Sequence, residues 1–315
     1  MVIRDKQTLR RCVKQAVRRA QVVETQLRFD VMAGELGVDA ASRAFKAGGG
    51  TPFSPDAAAM YAALDALDLP VYDLRRAQEE IETYERGAYL RELLDAMNAQ
   101  RVFVRIPLEH AGEAFFGDDR FEALLAVGGE AFVPGRYGVN YERAAQDIAD
   151  ALRTCGAKEL LAEGVTPDAL RWALMPLCED EGCRLHIGLR DAHEVEAFAA
   201  LMEEFPAVDA LAWAQEDGER ALIAASAKNP RILVRLCDAG NLAFALGSLG
   251  TRFLAYAAQA EQPEIAAGRW ITFRERLHPL LTECYLPLAR AGFELTGEMV
   301  QRDVHMLLGG CLQEK

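Results

Sequence analysis

From about residue 100 onward, strand-length apolar runs alternate with helix-length amphipathic segments, and no other property of the chain restricts its fold as much. The strands read as RVFVRIPL (Arg101 to Leu108), EAFVPGRYG (Glu130 to Gly138), AKELLAE (Ala157 to Glu163), CRLHIGLRD, AVDALAWAQ, PRILVRLCD and TRFLAYAAQ. Helical segments such as YERAAQDIADALRTCG, TPDALRWALMPLCEDEG and AHEVEAFAALMEEF separate nearly all of them. An earlier strand, VVETQLRFD (Val22 to Asp30), brings the count to eight. Strands joined by helices must run parallel, and eight such units close a (β/α)8 TIM barrel. The competing arrangement is a doubly wound open sheet. No G-x-G-x-x-G follows a strand, however, and no G-x-x-x-x-G-K-[ST] occurs.

The remaining segments fit around that frame. Periodicity predicts an opening helix at roughly 6 to 19 and a helical insertion over 31–98, broken by a loop at AGGGTPFSPD (Ala47 to Asp56). Ser54 is placed to cap the helix that follows. Two more helices form the tail. The expectation is one TIM-barrel domain over 1–315.

Charge and cysteine usage limit the partners. A formal net charge of -13 argues against nucleic acid, whose binding rests on neutralising phosphates. No run of 18 apolar residues is present to span a bilayer, and the basic opening segment lacks the apolar core and cleavage site of a secretory signal. Seven scattered cysteines do not make a disulfide framework, so a reducing, cytoplasmic location fits.

In a barrel the chemistry sits where strands end. Those positions hold Gln26 and Arg28, Arg105, Arg136 with Tyr137, Glu163, His186 with Arg190, Gln215 with Glu216, Arg235 with Asp238, and Tyr256 with Gln259. Five of these are arginines: Arg28, Arg105, Arg136, Arg190 and Arg235. Gathered at one mouth they would focus positive potential on a carboxylate or phosphate ligand; alternatively they pair with neighbouring carboxylates and seal the barrel end. His186 is the histidine on a barrel strand and the candidate base, although a strand histidine is often a hydrogen-bonded core residue. Cys178, Cys183, His186 and His193 have C-x4-C-x2-H-x6-H spacing, which matches no common zinc site. His110, His278 and His305 fall in a loop and in the tail helices, where surface or packing roles are expected. No nucleophilic triad is visible.

Spread along the chain, the sequence resembles the uronate isomerases, members of the metal-dependent amidohydrolase-type barrels. Their opening V-x-D-x-H-x-H-L-F is matched by V-V-E-T-Q-L-R-F-D, followed by GEL (Gly34 to Leu36). YLRELLDAMNAQRVFV is similar to their helix into strand 2, and CRLHIGLRD to their L-H-x-G-x-x-R strand 5. LGTRFLAYAAQAEQPEIAAGRW is similar to the L-G-T-x-F segment entering strand 8, and AGFELTGEMVQRDVHMLLGG to the closing helix. The resemblance implies interconversion of an aldose and a ketose uronate with a divalent metal such as zinc in the barrel mouth.

The departures fall on the site. Where the family has the two histidines of H-x-H, this chain has Gln26 and Arg28; where it has the aspartate of [ST]-D-x-R, this chain reads Ala258-Gln259-Ala260-Glu261. Arg28 matters most, since a guanidinium has no lone pair to give a metal and repels a divalent ion. His186 matches the family's strand 5 histidine, but one imidazole alone binds metal weakly. The expectation is therefore a barrel with no metal cofactor that binds an acidic sugar or other anion through Gln26, Arg28, Arg105, Arg136, Arg190, Arg235 and Gln259, or associates with itself or with an active relative. The alternative is an active isomerase of sugar acids, with His186 as base and an arginine as electrophile.

Overall fold

The computed structural model describes residues 3, 5–28, 54–84, 86–113, 118–134, 138–237, 239–260 and 262–312, without the side chains of residues 26, 28, 86, 87, 113 and 216. Eight parallel strands form one sheet in chain order: β1 (Val22–Arg28), β2 (Ala99–Pro107), β3 (Phe121–Gly128), β4 (Glu159–Glu163), β5 (Arg184–Leu189), β6 (Ala210–Ala214), β7 (Ile232–Arg235) and β8 (Phe253–Leu254). The expected α/β class, a (β/α)8 TIM barrel, is the one found. By contact density the chain divides into two compact units: Met1–Val102 with Gly117–Arg120 and Ala257–Lys315, and Phe103–Phe116 with Phe121–Tyr256.

In the first unit, α1 (Lys6–Arg19) starts where the Asp5 carboxylate accepts the Thr8 N–H at 2.8 Å. It buries Leu9, Val13, Ala16 and Val17 on one stripe. α2 (Pro55–Ala66) is capped by Ser54, whose Oγ accepts the Ala57 N–H, as its sequence predicts. α3 (Leu74–Ile81) and α4 (Arg86–Ala96) lead to β2. The earlier part of the expected insertion, including Gly34 to Leu36 and most of the Ala47 to Asp56 loop, lies outside the described residues.

The unit is organised around α10 (Pro263–Arg290), which packs on α1 and α2, while α11 (Gly297–Leu307) packs on α1. α2 approaches α10 at Gly268, where an added Cβ would lie 1.7 Å from the Ala59 carbonyl oxygen. Trp270 is fully buried, edge-on to Phe273. Its indole N–H donates to the Glu24 carboxylate at 2.8 Å, and the Ala258 N–H donates to the same oxygen at 2.7 Å. Glu24, at the middle of β1, has no exposed surface.

The second unit follows the sequence reading closely. α5 (Tyr141–Cys155) is capped by Asn140 and stopped by Gly156 in the left-handed region. After β4 a helical start at Pro167–Ala169 widens into a π turn, Leu170–Leu174, before α6 (Met175–Glu181). Pro176 lies just after that turn and has no N–H to continue the ladder. α7 (Ala192–Glu204), α8 (Glu216–Lys228) and α9 (Leu242–Leu249) complete the alternation.

Two strand readings need correction. The strand expected at Glu130 to Gly138 is instead β3, at Phe121–Gly128, and Gly129–Phe132 forms a 3-10 turn. The apolar run FEALLAVG is strand-length and ends at a glycine pair, whereas the chosen segment contains Pro134 and Gly135, which suit turns. β8 spans only two residues of the expected TRFLAYAAQ. Among the described residues no helix is long and apolar enough to cross a membrane.

Gly268→Ala is expected to destabilise the protein by about 3 kcal/mol in denaturant unfolding, because backbone atoms rather than a flexible side chain must move. A second expectation concerns Asp118. Hydrogen bonds from the Arg120 guanidinium, at 2.8 Å from both Nε and Nη2, hold its carboxyl down to about 2 from the ordinary 3.8. Because the folded-state value is depressed, the stabilisation is complete above about pH 4 and is lost as pH falls through about 2. Asp118→Asn should cost about 2 kcal/mol at neutral pH, with the gap to wild type closing over that acid range in unfolding titrations.

Candidate functional site

Strand register sorts the second unit's side chains into two faces. Residues paired across parallel strands share a face, and faces alternate along each strand. Leu161 pairs with His186, Gly188 with Trp213, and Leu211 with Leu233. One face therefore carries Glu159, Leu161 and Glu163 of β4, Arg184, His186 and Gly188 of β5, Leu211 and Trp213 of β6, and Leu233 and Arg235 of β7. The other carries Leu160, Ala162, Leu185, Ile187, Ala210, Ala212, Ile232 and Val234, nearly all fully buried; α8 packs on β6 and β7. The polar side chains are thus confined to the face that bears the candidate site.

That face is layered. Nearest the strand starts, Glu159 accepts from Arg184 at 3.4 Å and bonds His186 Nε2 at 2.8 Å. His186 is fully buried, edge-on to Phe103 of β2 at 5.8 Å, and its Nδ1 has no hydrogen-bond partner among the described residues. One tier nearer the strand ends the face opens. Gly188 is exposed between buried neighbours, and Trp213 is half-buried. An added Cβ at Gly188 would lie 2.8 Å from the Trp213 indole nitrogen, so the missing side chain makes room for the ring. The Arg235 guanidinium stacks on that ring at 4.0 Å from its centroid and is only 1% exposed. Arg105 of β2 donates from both Nε (3.1 Å) and Nη2 to Glu163, whose side chain is 40% exposed.

The sequence-derived candidates distribute as follows. Arg105, Glu163 and Arg235 all reach the strand-end tier of this face, and His186 lies one tier below. Arg190 is one residue past β5, exposed, and ion-paired with Glu194 four residues on, so its charge is already met by the first turn of α7. Gln215 is the N-cap of α8 and is exposed. Arg136, Tyr137 and Asp238 lie outside the described residues. In the first unit, Gln26 and Arg28 are the fifth and last residues of β1. Gln259, exposed, has φ of 50° in the segment after β8, where Arg269 donates to the Ala258 and Gln259 carbonyls.

Glu159, Gly188 and Trp213 were not singled out from sequence. A signal for two of them existed: in CRLHIGLRD the glycine falls two residues after His186, and in ALAWAQ the tryptophan interrupts a run of small residues.

The zinc set weighed from spacing does not assemble. His193 is exposed at the start of α7, and a hydrogen bond with the Cys183 thiol together with burial pushes the Cys178 thiol well above its ordinary range, keeping it protonated. Among the described residues no group of three or more His, Cys, Asp and Glu side chains is placed to hold a metal ion.

Eight parallel strands in chain order, separated by helices, define a (β/α)8 barrel. The fold aligns with that of a uronate isomerase from Bacillus halodurans C-125, with a TM-score of 0.80 over 98% of this chain and 96% of that one, at 16% identity. The protein is thus a uronate-isomerase-like barrel in fold. A monomeric form of phosphoribosylanthranilate isomerase from Thermotoga maritima (TM-score 0.36, 12% identity, 60% of this chain and 94% of that one) and a triosephosphate isomerase from Bartonella henselae (0.37, 11%, 61% and 95%) align too loosely to carry an argument. No protein-family model and no curated protein matches the sequence.

Gly188→Ala should displace Trp213 from beneath Arg235. The expected readout is a changed near-ultraviolet circular dichroism and tryptophan emission, with about 2 kcal/mol of lost stability; an unchanged spectrum would show that the ring does not depend on this glycine.

Proposed function

We infer that this protein is a uronate-isomerase-like barrel that binds a small acidic sugar without the divalent metal of the isomerases. The observation that carries the reading is the open tier of Arg105, Glu163 and Trp213, backed by the buried Arg235 charge. A half-buried indole offers a flat apolar surface to a sugar ring. Arg105, already placed against a carboxylate, offers the paired N–H geometry that a uronate carboxylate needs, with Glu163 as the group to be displaced. Exchange of one carboxylate for another preserves the charge balance of the tier.

The donor chemistry does not fit the family's metal. At the positions matching the family's ligands stand Gln26, Arg28 and Gln259: two neutral amides and a permanent cation with no lone pair. Arg28 would place fixed positive charge where relatives place an ion. A second reading, an active isomerase with His186 as base, draws support from the Glu159 bond that orients the imidazole.

Metal analysis of the purified protein should find well under one equivalent of zinc or manganese. A panel of hexuronates should raise the melting temperature without turnover, and Arg105→Gln should weaken that binding about tenfold. Stoichiometric metal together with uronate turnover would overturn the reading; turnover abolished by His186→Ala without metal would establish the second one.

A further inference from the structure

Within the first unit, α1, α2, α4 and α10 surround a cavity of about 480 Å³. It lies beside Ala20, at the end of β1 opposite Gln26 and Arg28, and is independent of the reading above. Lys14 and Arg18 face it from successive turns of α1, and Arg274, Glu275 and His278 from α10. Three permanent cations thus meet one carboxylate, in a protein whose formal net charge is -13.

Neither Lys14 nor Arg18 has an ion-pair partner among the described residues, and like charges four apart on a helix repel. Arg274 donates from Nη2 to the Ala20 carbonyl at 2.7 Å, and its Nε is buried without a partner among the described residues. Among the described residues the Nδ1 of His278 is buried without a partner as well. Burial holds the Arg274 guanidinium down to about 10, and burial with the nearby Lys14, Arg10 and Arg18 holds His278 below its ordinary range, against the opposing effect of Glu275. A bound anion would oppose both shifts by attracting the charged forms.

We propose that this cavity binds the phosphate monoester of a small metabolite, its dianionic head held by Lys14, Arg18, Arg274 and His278. The net charge of the wall, two positive charges with His278 neutral, matches a dianion better than a carboxylate. The volume falls in the range of small-molecule sites and exceeds what the phosphate alone would fill.

Titration of the full-length protein with inorganic phosphate and with glycerol phosphate, at ionic strength matched by potassium chloride, tests this. Both should raise the melting temperature and shift the imidazole resonances of His278, assigned by their loss in His278→Asn. The double variant Lys14→Gln, Arg18→Gln changes only exposed side chains and should fold, yet bind each probe at least about tenfold more weakly. Phosphate binding that leaves His278 unmoved, or that survives undiminished in the double variant, overturns the proposal, as does the absence of any effect of either probe on wild-type protein.

Discussion

The carboxylate of Glu24 is the point on which the first unit depends. It sits at the middle of β1 with no solvent contact, and it accepts the Ala258 N–H just beyond β8 and the Trp270 indole N–H of α10. A buried carboxyl group of this kind is tolerable only when its oxygens are hydrogen-bonded. Here the donors come from segments more than two hundred residues along the chain, so the requirement ties the start of the fold to its end. The close approach of α2 and α10 at Gly268 serves the same packing, since α10 is the helix that delivers Trp270.

The second unit obeys a different constraint, the period-two alternation of its strands. One face is filled with small aliphatic residues under helices; the other must hold Glu159, Arg184, His186, Glu163, Trp213 and Arg235. Polar groups on such a face have to satisfy one another, and they do so in pairs at two depths: His186 with Glu159 below, Arg105 with Glu163 and Arg235 with Trp213 above. Depth separates their roles. The lower pair is sealed, while the upper tier opens at Gly188 and is where a ligand can compete for existing contacts.

Much of this was legible in the residues. Helix-period and strand-length apolar runs located most strands, and Ser54 marked a helix start as its cap. The third strand was misplaced because both candidate segments are apolar and only the proline and glycine in one of them tell them apart. Arg105 and Arg235 were expected to be two of five equivalent arginines. Instead they differ from Arg190, which lies past the end of β5, where strand alternation no longer sets its direction, and pairs with Glu194 in the first turn of α7. Trp213 went unnoticed because an indole in an alanine-rich strand reads as core until its neighbour is known to be a glycine.

By itself the sequence determined the alternation, hence the class of fold, and it put an amide and a guanidinium, Gln26 and Arg28, at the end of strand 1. Those are local matters of periodicity and residue chemistry. Only the tertiary structure decided which carboxylate meets which cation, that His186 is closed off by Glu159 and Phe103, and that Lys14, Arg18, Arg274 and His278 share one cavity wall. Such pairings join residues tens to hundreds of positions apart, and they follow from strand register and helix packing, which no single segment encodes.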